Sequence, residues 1–316
     1  KENDFELRNL TVVLPSERAT KYLAQSLFTC YGKPIFSPEI ITIDRWVKKH
    51  SLPIIDKTRL LLYLFEMYLE TDEGKDATFE EFQTWGTIVL SDFDDIDRYM
   101  LDHEQVFKNL KAIKELESWQ IDEENFSASQ VKFMEFWDRL PKYYGELHKK
   151  LQAKNTITAG LAYRKLAENT NVVLSGNEKQ HFIFAGFNAL SKSELRIIKN
   201  LLIQKKASFL VDADIYYYEN KIHEAGAFIR KNLDFLEIGK PEIIGDHLSD
   251  KNLVLNVVEC AQHTGQVKVA ATELSKLSPA ELDSTLVLLS DETLISSMVK
   301  NIPVSVGKAN ITLGLP

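Results

Sequence analysis

The spacing of apolar positions changes twice along the chain. Residues 10–15, LTVVLP, form an uninterrupted apolar run of the kind that predicts a buried strand. Ser16 stands where a helix cap is wanted, and Ala19, Tyr22, Leu23 and Leu27 then recur at helical intervals. Residues 35–43, IFSPEIITI, predict a second strand whose start Pro38 keeps extended. Thr42 and Asp44 lead from it into a helix carrying Trp46 and Val47, with Asp44 the expected cap.

From residue 58 to about 163 the pattern is helical throughout, as judged by apolar spacing. Leu61, Leu64, Phe65, Tyr68 and Leu69 mark one face; Phe79, Phe82, Trp85, Ile88 and Val89 mark the next, after a polar loop at 71–78. Residues 106–116 and 129–151 predict two more helices, the second with a kink at Pro141.

The strand pattern returns at 181–203, HFIFAGFNALSKSELRIIKNLLI. Phe182, Ile183 and Phe184 end at Gly186, and Ser191 or Ser193 caps a helix whose apolar positions are Leu195, Ile198, Leu201 and Leu202. Residues 207–211, 253–258 and 285–289 predict further strands, the last two separated by a helix over 266–277. Strands alternating with helices imply an α/β fold with a mostly parallel sheet. The predicted organisation is one discontinuous α/β domain, residues 1–57 and 161–316, interrupted by an all-α insertion at 58–160. The apolar ending NITLGLP reads as a cut at a domain edge.

At 316 residues, 44% hydrophobic and 27% charged, the chain can bury a large core. No apolar run is long enough to span a membrane, and KENDFELRNL is too polar for a secretory signal, so a cytoplasmic protein is expected. Cys30 and Cys260 lack metal-ligand spacing and are expected to be buried free thiols. The formal charge of −8 is uneven: +2 over residues 1–57, −9 over 58–160 and −1 over 161–316. Nucleic-acid affinity depends on neutralising phosphates. The first segment is therefore the better DNA surface and the middle one a poor candidate.

Several blocks in order, VVLPSERATKYLAQSL, PEIITIDRW, WGTIVLSDFDDIDRYM, FIFAGFNALSKSELRIIKNL, VLLSDETL and NITLGLP, resemble the amino-terminal part of AddB-like PD-(D/E)XK nuclease family proteins. The resemblance spans nearly the whole chain, and WGTIVLSDFDDIDRYM is its most distinctive piece. It implies a superfamily 1 helicase-like, RecA-like core with a helical insertion, a nuclease at the carboxyl end of the full protein, and a partner subunit of the AddA type. It also implies work on DNA double-strand breaks. Two departures bear on mechanism. No GxxxxGK[ST] occurs, so there is no P-loop to cradle phosphate. Ala185 stands where a motor strand presents an acid to magnesium and the attacking water. An inactivated helicase subunit that holds DNA is expected, with no cofactor in this region. An active ATPase whose P-loop lies upstream, and a protein-interaction module without DNA binding, are the alternatives.

By the same resemblance, the turns after the first two strands touch single-stranded DNA through Ser16, Arg18, Thr42, Asp44 and Arg45. Hydroxyls and basic groups are suited to phosphate contacts. The rival reading is that Ser16 and Asp44 only cap helices. Asp92, Asp94, Asp95 and Asp97 radiate around a helix and are expected on a solvated or partner-facing surface. Asp212 and Asp214 follow a strand, but no (D/E)xK element follows them, so a nuclease site is not expected. His181 and His263 have no nucleophile nearby in sequence and are expected to be structural. Trp46, Trp85, Trp119 and Trp137 could stack on bases, but helical spacing favours core packing for Trp85 and Trp137.

Overall fold

The computed structural model describes residues 7–32, 36–72, 74–118, 128–174, 179–239, 246–248 and 254–312, and side chains throughout these except at 111–118 and 128–135. The chain divides into two compact units, residues 1–250 and 251–316.

The first unit opens with β1 (Leu10–Leu14), α1 (Glu17–Tyr31), β2 (Glu39–Thr42) and α2 (Ile43–Lys49). A helical run follows: α3 (Lys57–Leu69), α4 (Phe79–Arg98), α5 (His103–Ser118), α6 (Ala128–Ala153) and α7 (Ala159–Glu168). The chain then returns through β3 (His181–Ala185), α8 (Lys192–Ile203) and β4 (Ala207–Leu210), and ends with α9 (Ile215–Glu219) and α10 (Ala227–Leu236). All four strands are parallel, in the order β2-β1-β3-β4. This is the mostly parallel α/β fold that the alternating pattern predicts.

Register decides which side chains share a face. Val13 is aligned with Ile41 and Phe184, and Phe182 with Ala207. These residues point to one side and form a core with Trp46, Val47, Tyr163, Leu166, Ile197, Ile198 and Leu201 from α2, α7 and α8. Trp46 meets Phe182 and Phe184 edge-on, with ring centroids 5.5 and 5.7 Å apart. α1 lies against β1 and β2 but takes no part in this core. A right-handed crossover from β1 to β2 puts it on the opposite face.

The insertion has its own core, built on Leu60, Leu61, Leu64, Phe82, Val89, Phe93, Leu140, Leu147 and Leu151. Phe65, Tyr68, Phe79 and Trp85 pack around the fully buried Phe82. α6 continues through Pro141 within one helical span. Among the described residues the insertion has no strand; its nearest approach to one is an isolated parallel bridge between Ile54 and Ile157.

α1 forms as its spacing predicts but has no buried residue: Leu23 and Leu27 are half-buried, while Tyr22 is 61% exposed. Four expectations need correction. Cys30, on α1, is exposed rather than buried, and Cys260 is half-buried. The cap of α2 is Thr42, not Asp44, because the helix begins at Ile43 and the Thr42 side chain accepts from Arg45 N–H. Residues 254–258 and 285–289 form no strand, because they have no ladder partner among the described residues; Leu253, where the first of these strands is expected to begin, lies outside the described residues. Finally, Asp97 is buried and Asp94 half-buried, where a solvated acidic surface was expected.

The second unit contains α11 (His263–Ser275), α12 (Pro279–Asp283) and α13 (Ile295–Asn301), packed around Val267, Leu274 and Met298. Its extended apolar runs are open to solvent, with Val257 at 86% and Leu288 at 85% exposure.

Candidate functional site

Strand order points to a location. From β1 the chain moves outward to β2 on one side, and from β3 to β4 on the other. The order therefore reverses between β1 and β3. In open α/β sheets, ligands sit outside the carboxyl ends of the strands at such a reversal. Pro15 and Ser16 leave β1 there, Thr42 ends β2, and Gly186 follows β3. Gly186 has φ +75°, a left-handed conformation that favours glycine, and turns the chain away beside Pro15.

Register brings together the two turns assigned to DNA by resemblance. Leu14 is aligned with Thr42, so Ser16 and Thr42 end neighbouring strands at the same edge. Ser16 Oγ accepts from Ala19 N–H at 3.3 Å and caps α1. Arg45 from α2 reaches Glu17 from α1, Nε to Oε1 2.9 Å, with both side chains more than half exposed. Arg18, also on the first turn of α1, is half-exposed. Asp44 accepts the Tyr163 hydroxyl at 2.6 Å, although its own side chain is largely exposed.

Arg98, the last residue of α4, joins this edge although sequence reasoning did not single it out. Its guanidinium lies over the Tyr163 ring at 4.2 Å. It faces Asp44 Oδ1 at 3.8 Å and Glu194 Oε1 at 3.9 Å. Glu194 is held by a capping box: its Oε2 accepts from Ser191 N–H at 2.7 Å and Ser191 Oγ at 2.8 Å. Burial, the Asp44 hydrogen bond and the nearby carboxylates push the Tyr163 phenol far above its ordinary range, so it donates and does not ionise. Burial lowers the Arg98 pKa, but Tyr163, Glu194, Asp44 and Asp94 outweigh it and keep the cation charged.

The acids of α4 have structural partners. Asp97 accepts from Tyr144 Oη at 2.7 Å and Arg164 at 3.3 Å, and His148 Nε2 lies 3.1 Å from its second oxygen. Asp94 accepts from Gly160 N–H at the start of α7. Its pKa is raised by burial, against the opposing pull of that hydrogen bond and of Arg98. Among the described residues, no three His, Cys, Asp or Glu side chains converge as metal ligands.

The remaining candidates fall elsewhere. Asp214 caps α9 and accepts from the backbone of Tyr216, His247 and Leu248; these bonds outweigh partial desolvation and lower its pKa. His181 Nε2 meets Ser208 Oγ at 3.0 Å, and His263 faces Asp291 at 3.9 Å. Trp46 and Trp85 pack in cores, and Trp137 lies against the insertion core; Trp119 is outside the described residues. Among the described residues, no helix is long and apolar enough to cross a membrane. No family model and no curated protein matches the chain.

Proposed function

We propose that the chain is a non-catalytic, helicase-like scaffold of a cytoplasmic helicase–nuclease that processes DNA double-strand breaks, and that the carboxyl edge of its sheet holds single-stranded DNA. The observation that carries this reading is that Ser16 and Arg18 after β1, and Thr42 and Arg45 after β2, come from two separate stretches of sequence to the carboxyl ends of neighbouring parallel strands, beside the β1–β3 switch point, with Arg45 paired to Glu17. The sheet and the helices packed on it are read as a RecA-like core within residues 1–57 and 161–250, with 58–160 as its helical insertion; residues 251–316 form a compact unit of their own. The nuclease belongs to the longer protein that the resemblance implies.

The charge pattern agrees with holding rather than tight capture. Exposed ion pairs such as Arg45–Glu17 contribute only about 0–1 kcal/mol, so a phosphate can displace Glu17 at small cost. Yet the chain carries −8 overall. A handful of phosphate contacts then gives weak, salt-sensitive binding, strengthened when an AddA-type partner completes the channel. Ala185 and the absent P-loop weigh against an active motor.

The interaction-module alternative draws support from α1, whose outward Tyr22 and Phe28 are 61% and 69% exposed. Fluorescence anisotropy on a labelled oligothymidylate, at low and moderate salt, separates the two. Binding at low salt that weakens in Arg18→Ala and Arg45→Ala supports the scaffold. No binding even with the partner subunit present would replace it with the interaction module.

A further inference from the structure

Arg98 is the cation at this edge whose arrangement sequence does not explain. It is half-buried, with 27% of its side chain exposed, yet both carboxylates stand beyond hydrogen-bond range at 3.8 and 3.9 Å. A guanidinium offers five donors in a rigid fork suited to paired oxygens. Here its face rests on Tyr163 while its edge lies between α2 and α8, the helices that follow β2 and β3.

The two carboxylates do not depend on Arg98. Asp44 keeps the Tyr163 hydroxyl, and Glu194 keeps both donors of Ser191. Arg98 can therefore turn toward a ligand without leaving either acid unpartnered, which removes the main penalty for breaking a partly buried ion pair.

We infer that Arg98 is a phosphate-binding residue, engaged by a phosphodiester of a single strand lying along the carboxyl edge, and that Glu194 holds it in reserve. The inference rests on the single-stranded DNA reading, and adds to it a contact supplied by the helical insertion. The acidic insertion then contributes to the DNA edge through the last residue of α4.

The test is a double-mutant cycle on the intact chain, read by anisotropy with labelled oligothymidylate across a salt series. Arg98→Gln should weaken binding and lower the slope of log affinity against log salt by about 0.7, the value for one phosphate contact on a single strand. Glutamine also serves in a capping box, so Glu194→Gln keeps the start of α8 intact. It should raise affinity about threefold, the scale of one released ion pair, and should lose that effect in the Arg98→Gln background. A slope unchanged by Arg98→Gln overturns the inference while leaving the strand reading standing, as does an equal Glu194→Gln gain in both backgrounds, which would mark a general charge effect. Displacement of the oligonucleotide by inorganic phosphate, but not by chloride at matched ionic strength, would assign Arg98 to a free phosphate instead and also overturn it. Absence of binding by the wild type at low salt, with the partner subunit present as well, overturns both readings.

Discussion

Replacing Asp97 with alanine should strongly destabilise the first unit. The carboxylate is 1% exposed and ties three helices together: α4 through its own position, α6 through Tyr144 and His148, and α7 through Arg164. Each hydrogen bond to a buried charge contributes about 1.5–3 kcal/mol, and removing one partner of a buried ion pair costs about 3–5 kcal/mol. Arg164 retains the Leu101 carbonyl at 3.1 Å, which holds the expected loss toward the lower end, about 3 kcal/mol. Tyr144→Phe leaves Asp97 its other partners and should cost about half as much. All four tryptophans lie within residues 1–250, so their fluorescence during urea unfolding reports this unit alone. An Asp97→Ala loss below about 1 kcal/mol, at unchanged denaturant slope, would refute the network. So would a Tyr144→Phe loss of the same size.

Three further outcomes follow from the same geometry. Gly160→Ala should destabilise the unit by about 1–3 kcal/mol, because a Cβ there would strike the Asp94 backbone where α7 crosses α4; a neutral or stabilising result in urea unfolding would contradict that close approach. His50 and His181 are both held below the ordinary 6.5, in each case first by burial and then by a neighbouring lysine, Lys49 or Lys206. The unfolded chain therefore binds protons more readily, and the stability they contribute is present above pH 6.5 and lost as pH falls through their lowered values; His50→Gln/His181→Gln should flatten that part of the urea-midpoint profile. Calorimetric titration with Mg-ATP should give no saturable micromolar binding, and saturable heat would restore the active-motor alternative.

The sheet was legible because buried strands leave uninterrupted apolar runs: residues 10–14 and 181–185 pair directly, and Ser191 caps the helix that Ile198 and Leu201 anchor. Runs of the same kind at 254–258 and 285–289 misled, since apolar content predicts extension while a strand also needs a neighbour. The acids of α4 were misread for a related reason. Spacing of three puts Asp94 and Asp97 on the same face of the helix, but their burial depends on Gly160, Tyr144 and Arg164, which folding brings from distant positions. Arg98 was passed over on the same account: Asp44, Tyr163 and Glu194 lie on three other helices. The turns at Ser16 and Thr42 could be named by resemblance, but only register set them side by side.

The central claim is that a single strand lies along the carboxyl edge of the sheet, and photo-crosslinking tests it most directly. An oligothymidylate substituted with 5-iodouracil would be irradiated with the intact chain at low salt, and the modified peptides mapped by mass spectrometry. The account predicts crosslinks concentrated in the peptides of residues 16–31 and 42–50, lost when excess unlabelled oligonucleotide is added. Crosslinks confined to the helices of 58–97 or to residues 251–316, with the carboxyl edge unmodified, would contradict it.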